Sequence, residues 1–145
     1  MKILLDTNIV LDAYLPDRPE NPYAFMLVDC IMRENIDAFV SSLTLKDVYY
    51  VLCRCNSENS GRSAIKEALL FLGVLAVDEA IIQDAVNSNE PDFEDGIIRS
   101  CAEFNDINFI ITRDKQVYRG CRIRSLSARE FLEDVLNIDT ISYQY

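Results

Sequence analysis

The chain has 145 residues, of which half are hydrophobic and 26% are charged, and its formal net charge is −10. This length predicts one domain, residues 1–145, with a substantial core, and no apolar run approaches the length of a membrane span. The complete absence of histidine excludes Ser-His-Asp and Cys-His nucleophilic catalysis. Asp6 and Asn8 interrupt the apolar start too early for a signal peptide, so we expect a cytoplasmic protein.

Strand and helix patterns alternate along the chain. Short apolar runs ended by polar residues predict strands at 2–6, 37–41, 74–77 and 108–112, with an edge strand at 122–125. Helical patterns or caps occupy 10–14, 22–34, 45–55, 60–73, 79–87, 93–104 and 128–136. This alternation predicts an α/β fold, a three-layer sandwich with a central parallel sheet of four to five strands. We expect the tail, 137–145 with Tyr143 and Tyr145, to pack on the domain or on a second copy.

Four aspartates stand at the ends of apolar segments. Asp6 and Asp114 follow the first and fourth predicted strands, whereas Asp47 and Asp95 open apolar helical stretches. In an open α/β sheet these positions lie along one rim, where ligand sites form. Several carboxylates on one rim repel each other unless a cation neutralises them, and four carry about the charge that two Mg²⁺ ions would balance. The pattern therefore indicates a metal-dependent enzyme acting on phosphates.

Each aspartate also has an ordinary structural explanation. Thr44 and Asp47 resemble a capping box with Asp in place of Glu, in which Asp47 would accept a backbone N–H. Asp92 suits a helix cap, Asp95 suits the first turn, and Asp114 suits a turn after its strand. Asp6 is harder to explain in this way, because it ends a fully apolar strand and is followed by Thr7 and Asn8.

Taken together in order, these segments resemble the PIN domain family. The resemblance rests on four strings and covers nearly the whole chain: Leu4-Leu5-Asp6-Thr7-Asn8, residues 41–52, Asp92-Phe93-Glu94-Asp95, and Ile111-Thr112-Arg113-Asp114. It implies a Mg²⁺- or Mn²⁺-dependent endoribonuclease of the VapC-like kind found as the toxin in toxin–antitoxin pairs. It also implies that RNA is the substrate, that a homodimer forms, and that a basic antitoxin-like protein is a partner.

By the same resemblance, Asp6, Asp47, Asp95 and Asp114 are the catalytic, metal-binding residues. Asn8 and Thr112 would support them by hydrogen bonds, and Asp92 would be an extra ligand. Arg113 and Lys115, beside the fourth aspartate, would bind an RNA phosphate. Two positions depart from the family pattern, because Asp47 stands where Glu is more common and Gly96 stands where Ala is usual. We expect Asp47 to reach a metal through water and Gly96 to loosen the helix turn that positions Asp95.

Two other functions remain open. A non-catalytic module of the same fold would use its acidic rim to dock a basic protein partner, which suits the net charge of −10. A small-phosphate hydrolase ranks lower, because the chain has neither a glycine-rich phosphate loop nor an aspartyl nucleophile motif. Six basic residues between 113 and 129 form a basic segment that is either an RNA-binding patch or a solvated face. Apolar residues of 22–34 (Tyr23, Phe25, Met26, Cys30) and of 47–53 (Tyr49, Tyr50) suit either a dimer surface or the core.

Overall fold

A computed structural model describes residues 1–143, which form an α/β fold. Five strands build one sheet: β1 (Lys2–Leu5), β2 (Asp37–Ser41), β3 (Gly73–Leu75), β4 (Phe109–Ile111) and β5 (Arg124–Leu126). Seven α-helices accompany them: α1 (Thr7–Tyr14), α2 (Asn21–Arg33), α3 (Ser42–Cys55), α4 (Glu58–Ala68), α5 (Glu79–Val86), α6 (Phe93–Phe104) and α7 (Ala128–Glu130). Lys115–Tyr118 forms a 3₁₀ turn, and α7 continues as a π-helical turn over Phe131–Val135.

The sheet is parallel throughout, in the order β3-β2-β1-β4-β5. The chain builds one side of the sheet from β1 to β3 and then returns to add β4 on the other side of β1. The topological switch point therefore lies between β1 and β4, where Leu5 pairs with Ile111. Ligands of open α/β sheets bind outside the carboxyl ends of strands at such a point. The predicted fold class is confirmed.

Helices cover both faces of the sheet, and the strands bury side chains on each side. Ile3 and Leu5 face a cluster that includes Val10, Leu27 and Phe131. Leu4 faces the opposite way, into a cluster formed mainly by α5, α6 and the segment after β4. This alternation follows from the two-residue side-chain period of a strand and produces the three layers. None of the helices within residues 1–143 combines the length and apolar character needed to cross a bilayer.

Several predicted boundaries were wrong. Helix α3 begins at Ser42 with Ser41 as its cap, so Thr44 lies inside the helix and does not start it. The edge strand is 124–126 and not 122–125. The last helix is α-helical only over its first three residues; farther on, the N–H of Leu136 bonds the carbonyl of Phe131, five residues back.

The C-terminal tail packs against α2. Tyr143 contacts a small cluster of Met26, Cys30 and Leu132, and its hydroxyl donates to Asp29. The prediction that the tail packs on the domain therefore holds for Tyr143, whereas Tyr145 lies outside the described residues. Met26 and Cys30 are core residues and do not form a dimer surface, although Tyr50 is well exposed.

Candidate active site

A cavity of about 570 Å³ opens at the switch point of the sheet. It lies between the end of β1 and the starts of α1, α3 and α6, and it also includes the segment after β4. Six acidic side chains line it: Asp6, Asp47, Asp92, Glu94, Asp95 and Asp114. Among the described residues of the lining, Lys46 is the basic one. The structure thus brings together all four predicted metal-binding aspartates, with Asp92 beside them.

Asp6 is fixed by hydrogen bonds to both of its carboxylate oxygens. Oδ1 accepts from the backbone N–H of Thr7 at 2.7 Å, which makes Asp6 the N-cap of α1. Oδ2 accepts from the hydroxyl of Thr112 at 2.8 Å. The same hydroxyl oxygen accepts from the backbone N–H of Asp114 at 3.1 Å. Thr112, which is fully buried, therefore links the first and fourth acidic positions.

Three more hydroxyl groups join the start of α3 to the start of α1. Ser41 Oγ caps α3 by accepting from the N–H of Thr44 at 3.0 Å, and it donates to Thr44 Oγ1 at 3.1 Å. Thr7 Oγ1 lies 3.3 Å from Thr44 Oγ1. Because Ser41 is the cap, the capping box expected for Asp47 is absent. Asp47 instead lies on the second turn of α3, where its Oδ1 forms an ion pair with Lys46 Nζ at 2.8 Å.

Asp92 and Asp95 are coupled at the start of α6. Asp92 is the N-cap, and its Oδ1 accepts from the backbone N–H of Asp95 at 2.9 Å. This arrangement confirms the cap predicted for Asp92 and places the Asp95 carboxylate beside that of Asp92. Burial, followed by repulsion from Asp92 and Asp6, raises the pKa of Asp95 from 3.8 to about 6.

The pKa of Asp6 is also raised, for similar reasons. Burial raises the pKa of its carboxyl group, the hydrogen bonds from Thr112 and Thr7 oppose that rise, and the charges of Asp114 and Asp92 add to it. Carboxylates whose pKa is raised by burial and by like charges are typical of sites that bind a cation or transfer a proton. The carboxylates of the cavity therefore repel one another, and a positively charged ligand would reduce this repulsion.

Tyr118 is a buried neighbour of this cluster that the sequence did not single out. Its side chain is 2% exposed, and its hydroxyl has no hydrogen-bond partner among the described residues. Burial raises the pKa of its phenol, and the charges of Asp6, Asp95 and Asp92 raise it further. The short, mostly polar turn Lys115–Tyr118 gives no signal for this position, because the proximity of the tyrosine to the acids depends on how the 3₁₀ turn packs.

Three of the predicted residues have other partners. Asn8 lines the cavity, but its side-chain oxygen accepts from Arg18, at 3.4 Å. Arg113 contacts Asp12, a fully buried carboxylate, at 3.3 Å. Lys115 pairs with Glu130 at 2.5 Å. Arg113 and Lys115 are not part of the cavity lining, and their role in binding a phosphate stays a prediction.

Sequence reasoning missed several residues of the cavity wall. Lys46, Tyr50 and Val51 share with Asp47 one face of α3, and Phe93 and Glu94 open α6. A signal was available, because residues three and four positions apart on a helix lie on one face, so that Asp47 in the cavity brings Leu43 and Tyr50 with it.

The family follows from comparison with known proteins. The PIN domain family model matches residues 2–116, which is well over half of the chain. The chain belongs to the PIN domain family.

Known relatives extend the match. Ribonuclease VapC1 of Aquifex aeolicus is 26% identical over 137 residues, which cover 91% of this chain and 94% of that protein. The structure resembles VapBC2 of Rickettsia felis bound to a promoter DNA fragment, with a TM-score of 0.68, 14% identity, and coverage of 88% of this chain and 98% of that one. It also resembles the sarcin-ricin loop cleaving toxin VapC20 of Mycobacterium tuberculosis, with a TM-score of 0.66, 14% identity, and coverage of 81% and 94%. At these identities the two structures show the same fold.

The donor set of this PIN domain suits a hard divalent cation. All six acidic groups offer carboxylate oxygens, the ligands that Mg²⁺ prefers. Within residues 1–143, no three acidic or cysteine side chains converge closely enough to hold an ion as they stand, and the carboxylates are instead distributed around the cavity. Mg²⁺ often binds through one or two carboxylates plus waters and substrate phosphate oxygens, and an open arrangement accommodates that mode.

Proposed function

We propose that this PIN domain protein is a divalent-metal-dependent endoribonuclease that hydrolyses RNA phosphodiester bonds as the toxin of a toxin–antitoxin pair. The observation that carries the proposal is the cavity at the switch point, where six acidic side chains surround one space. The relative named Ribonuclease VapC1 supports the reaction, and the VapBC2 complex supports a partner.

We assign metal binding to Asp6, Asp47, Asp95 and Asp114, with Mg²⁺ or Mn²⁺ as the ion and Asp92 as an additional ligand. A divalent cation bound by these oxygens supplies positive charge to the scissile phosphate and lowers the pKa of a bound water. Thr112 holds Asp6 in one orientation through its 2.8 Å hydrogen bond, and its hydroxyl oxygen also accepts from the backbone N–H of Asp114. We also assign a supporting role to Asn8, which lines the same cavity.

Proton transfer falls to Asp95 in this proposal. Without a cation, burial and the neighbouring carboxylates raise the pKa of Asp95 to about 6. A bound cation would lower this pKa again, so the carboxylate would be ionised and able to accept a proton. Asp95 Oδ would accept a proton from the attacking water, and Asp92, which caps the same helix turn, holds it in place through the backbone. For Arg113 and Lys115 to bind a substrate phosphate, each would have to exchange its carboxylate partner, Asp12 or Glu130, for that phosphate.

The test combines metal titration with RNA cleavage. Wild-type protein is titrated with Mg²⁺ and Mn²⁺ by calorimetry, and the same samples are incubated with bacterial total RNA, with and without EDTA. We expect binding and cleavage in the wild type, and loss of both in Asp6→Asn. Asp37→Asn is the matched control. This exposed carboxylate begins β2, so it lies at the amino ends of the strands, opposite the cavity, and its removal should leave metal binding and cleavage unchanged. Absence of metal binding at millimolar concentration would contradict the proposal.

The second candidate function is a non-catalytic module that docks a basic protein. The observation that favours it is the charge distribution, since the chain carries −10 overall and its cavity is lined by six acids against Lys46. An arginine of a partner would neutralise the same carboxylates, so it would also inhibit the enzyme if both functions are present. Calorimetry with an arginine-rich peptide distinguishes the two, because a pure docking module binds the peptide and neither binds metal nor cleaves RNA.

We also propose that the protein acts in the cytoplasm as a homodimer, as expected from its resemblance to VapC-like toxins. Sedimentation velocity at micromolar concentration tests the dimer directly. A single species at the mass of one 16.6 kDa chain would contradict it.

A further inference from the structure

The outward face of α3 carries a basic–aromatic–basic series that begins at the acidic cavity. Lys46, Tyr50 and Arg54 follow one another at intervals of four residues, so they lie along one side of the helix. Lys46 and Tyr50 line the cavity together with Asp47, whereas Arg54 lies one turn farther from it. We call these three residues the α3 track. Its length along the helix axis is roughly 12 Å, which is the rise of eight residues.

Tyr50 presents an accessible ring at the centre of the track. Its side chain is 58% exposed, so the ring is not part of the core. The Nη1 of Arg54 donates to the Tyr50 hydroxyl at 3.1 Å, and the guanidinium carbon lies 5.6 Å from the ring centroid. Arg54 thus holds the hydroxyl of Tyr50 and also lies over one face of its ring as a cation–π contact. Because Tyr50 is well exposed, the opposite face is the one open to stacking.

Both cations of the track are available for an anion. Among residues 1–143, Arg54 forms no ion pair with a carboxylate. The partner of Lys46 is its sequence neighbour Asp47, and the lysine side chain is 71% exposed, where such pairs contribute little. This situation differs from that of Arg113 and Lys115, which are paired with Asp12 and Glu130.

We propose that the α3 track binds single-stranded RNA and leads it into the acidic cavity. A base stacks on Tyr50, and Lys46 and Arg54 bind the phosphates on either side. Alternation of basic and aromatic side chains is the general basis of single-strand binding, because every base has a face that can stack on an aromatic ring. A duplex keeps its bases stacked on each other, so the track selects unpaired RNA. This inference rests on the proposed ribonuclease function and names the form of its substrate.

The experiment measures RNA binding separately from cleavage. Asp6→Asn serves as the common background, so that no variant degrades the probe. The probes are a fluorescein-labelled 12-nucleotide oligo(U), the same RNA paired to oligo(A), and an oligo(U) with one central 2-aminopurine. Anisotropy gives the dissociation constant, and quenching of 2-aminopurine fluorescence reports stacking on an aromatic ring.

We expect Tyr50→Ala to weaken binding of the single strand by about 5- to 150-fold, the range that corresponds to loss of one stacked base. It should also abolish the 2-aminopurine quenching, whereas Tyr50→Phe should retain both signals. Lys46→Gln and Arg54→Gln should each reduce the slope of log affinity against log salt by about 0.7, the value for one single-strand phosphate contact. Lys66→Gln, an exposed lysine on α4, is the charge-matched control and should change nothing.

Three results would overturn the inference. One is equal binding by Tyr50→Ala and its background, with unchanged quenching. Another is duplex binding as tight as single-strand binding. The third is dissociation of a dimer by Tyr50→Ala in sedimentation velocity with no change in RNA affinity, which would assign this face to a second copy. Wild-type cleavage of total RNA is assayed in parallel. If the wild type cleaves RNA but the track variants bind it normally, only the RNA-binding role of the α3 track is refuted. If the track variants weaken RNA binding but the wild type does not cleave RNA, only the proposed ribonuclease function is refuted.

Discussion

Asp95 is held among other carboxylates, so its negative charge destabilises the fold when no cation is bound. Its pKa is about 6 in the folded protein, against 3.8 for an ordinary aspartate. Between these two values the folded chain holds a proton that the unfolded chain has lost, so stability falls as the pH rises from about 4 to 6 and stays low above that. The cost is moderated by solvent, because the group is only partly buried.

Asp95→Asn should therefore raise the melting temperature of the metal-free protein at pH 7.5, by roughly 2–4 °C for a gain of about 1 kcal/mol. The same substitution should abolish RNA cleavage. Differential scanning calorimetry in EDTA measures the first effect. At low pH Asp95 of the wild type is protonated in both the folded and the unfolded chain. The difference in melting temperature between wild type and Asp95→Asn should therefore shrink towards zero near pH 4. A wild type that melts above Asp95→Asn at pH 7.5 in EDTA would contradict this account.

Thr112 supports two acidic positions through one hydroxyl. Thr112→Val keeps the shape of the side chain but leaves Asp6 Oδ2 without its donor and the N–H of Asp114 without its acceptor. We expect a loss of about 1–3 kcal/mol in the free energy of unfolding, the usual cost of buried polar groups left unsatisfied. Cleavage should fall as well, because Asp6 loses its fixed orientation. Urea unfolding measures the loss of stability. Thr112→Ser, which keeps the hydroxyl, should retain most of the stability and most of the cleavage activity.

At the scale of elements, Gly96 sets how closely α6 approaches α5. A Cβ added at Gly96 would lie 3.1 Å from the carbonyl oxygen of Ala85 and 3.0 Å from Ser88 Oγ. The sequence suggested that this glycine loosens the turn that positions Asp95, but the structure shows it at a close contact between helices. Alanine would improve helix propensity by up to about 1 kcal/mol, yet it would crowd backbone atoms that cannot easily move.

We therefore expect Gly96→Ala to lower the free energy of unfolding by about 1–2 kcal/mol despite its better helix propensity. It should also reduce metal affinity, since α6 carries Asp92 at its cap and Asp95 in its first turn. Gly120→Ala is the matched control, because a Cβ there would meet nothing within 4 Å. Equal or greater stability of Gly96→Ala in urea would show that α5 and α6 can separate without cost.

The sequence predicted the order of strands and helices because each apolar run ends at a polar residue. It also located the four aspartates, since parallel strands bring their carboxyl ends to one edge. The start of α3 was predicted wrongly at Thr44, because Ser41 and Thr44 are both good cap residues and the hydroxyl network of the folded chain makes Ser41 the cap. The ion pair of Arg113 with Asp12 was not foreseen, because Asp12 lies 101 residues from Arg113 along the chain and local sequence does not reveal that pairing.

At the scale of the whole molecule, the field of the protein opposes RNA. The net charge is −10, and three of the six cations of the C-terminal basic segment form ion pairs: Arg113 with Asp12, Lys115 with Glu130, and Arg129 with Glu133. RNA must therefore approach against long-range repulsion and bind through local contacts. The Debye length shortens from about 30 Å at 0.01 M salt to about 10 Å at 0.1 M, so added salt removes the repulsion before it weakens close contacts.

The association rate constant of oligo(U) with the Asp6→Asn protein should consequently rise several-fold between 10 and 150 mM NaCl. The association rate of an arginine-rich peptide should fall over the same range, because its attraction to the acidic protein is screened. Stopped-flow fluorescence measures both, and an oligomer with an uncharged backbone is the control whose rate should not change. If the association rate of oligo(U) falls with added salt, the cations of the α3 track, and not the net charge, govern the approach of RNA. The net charge of −10 would then no longer favour a basic partner over RNA.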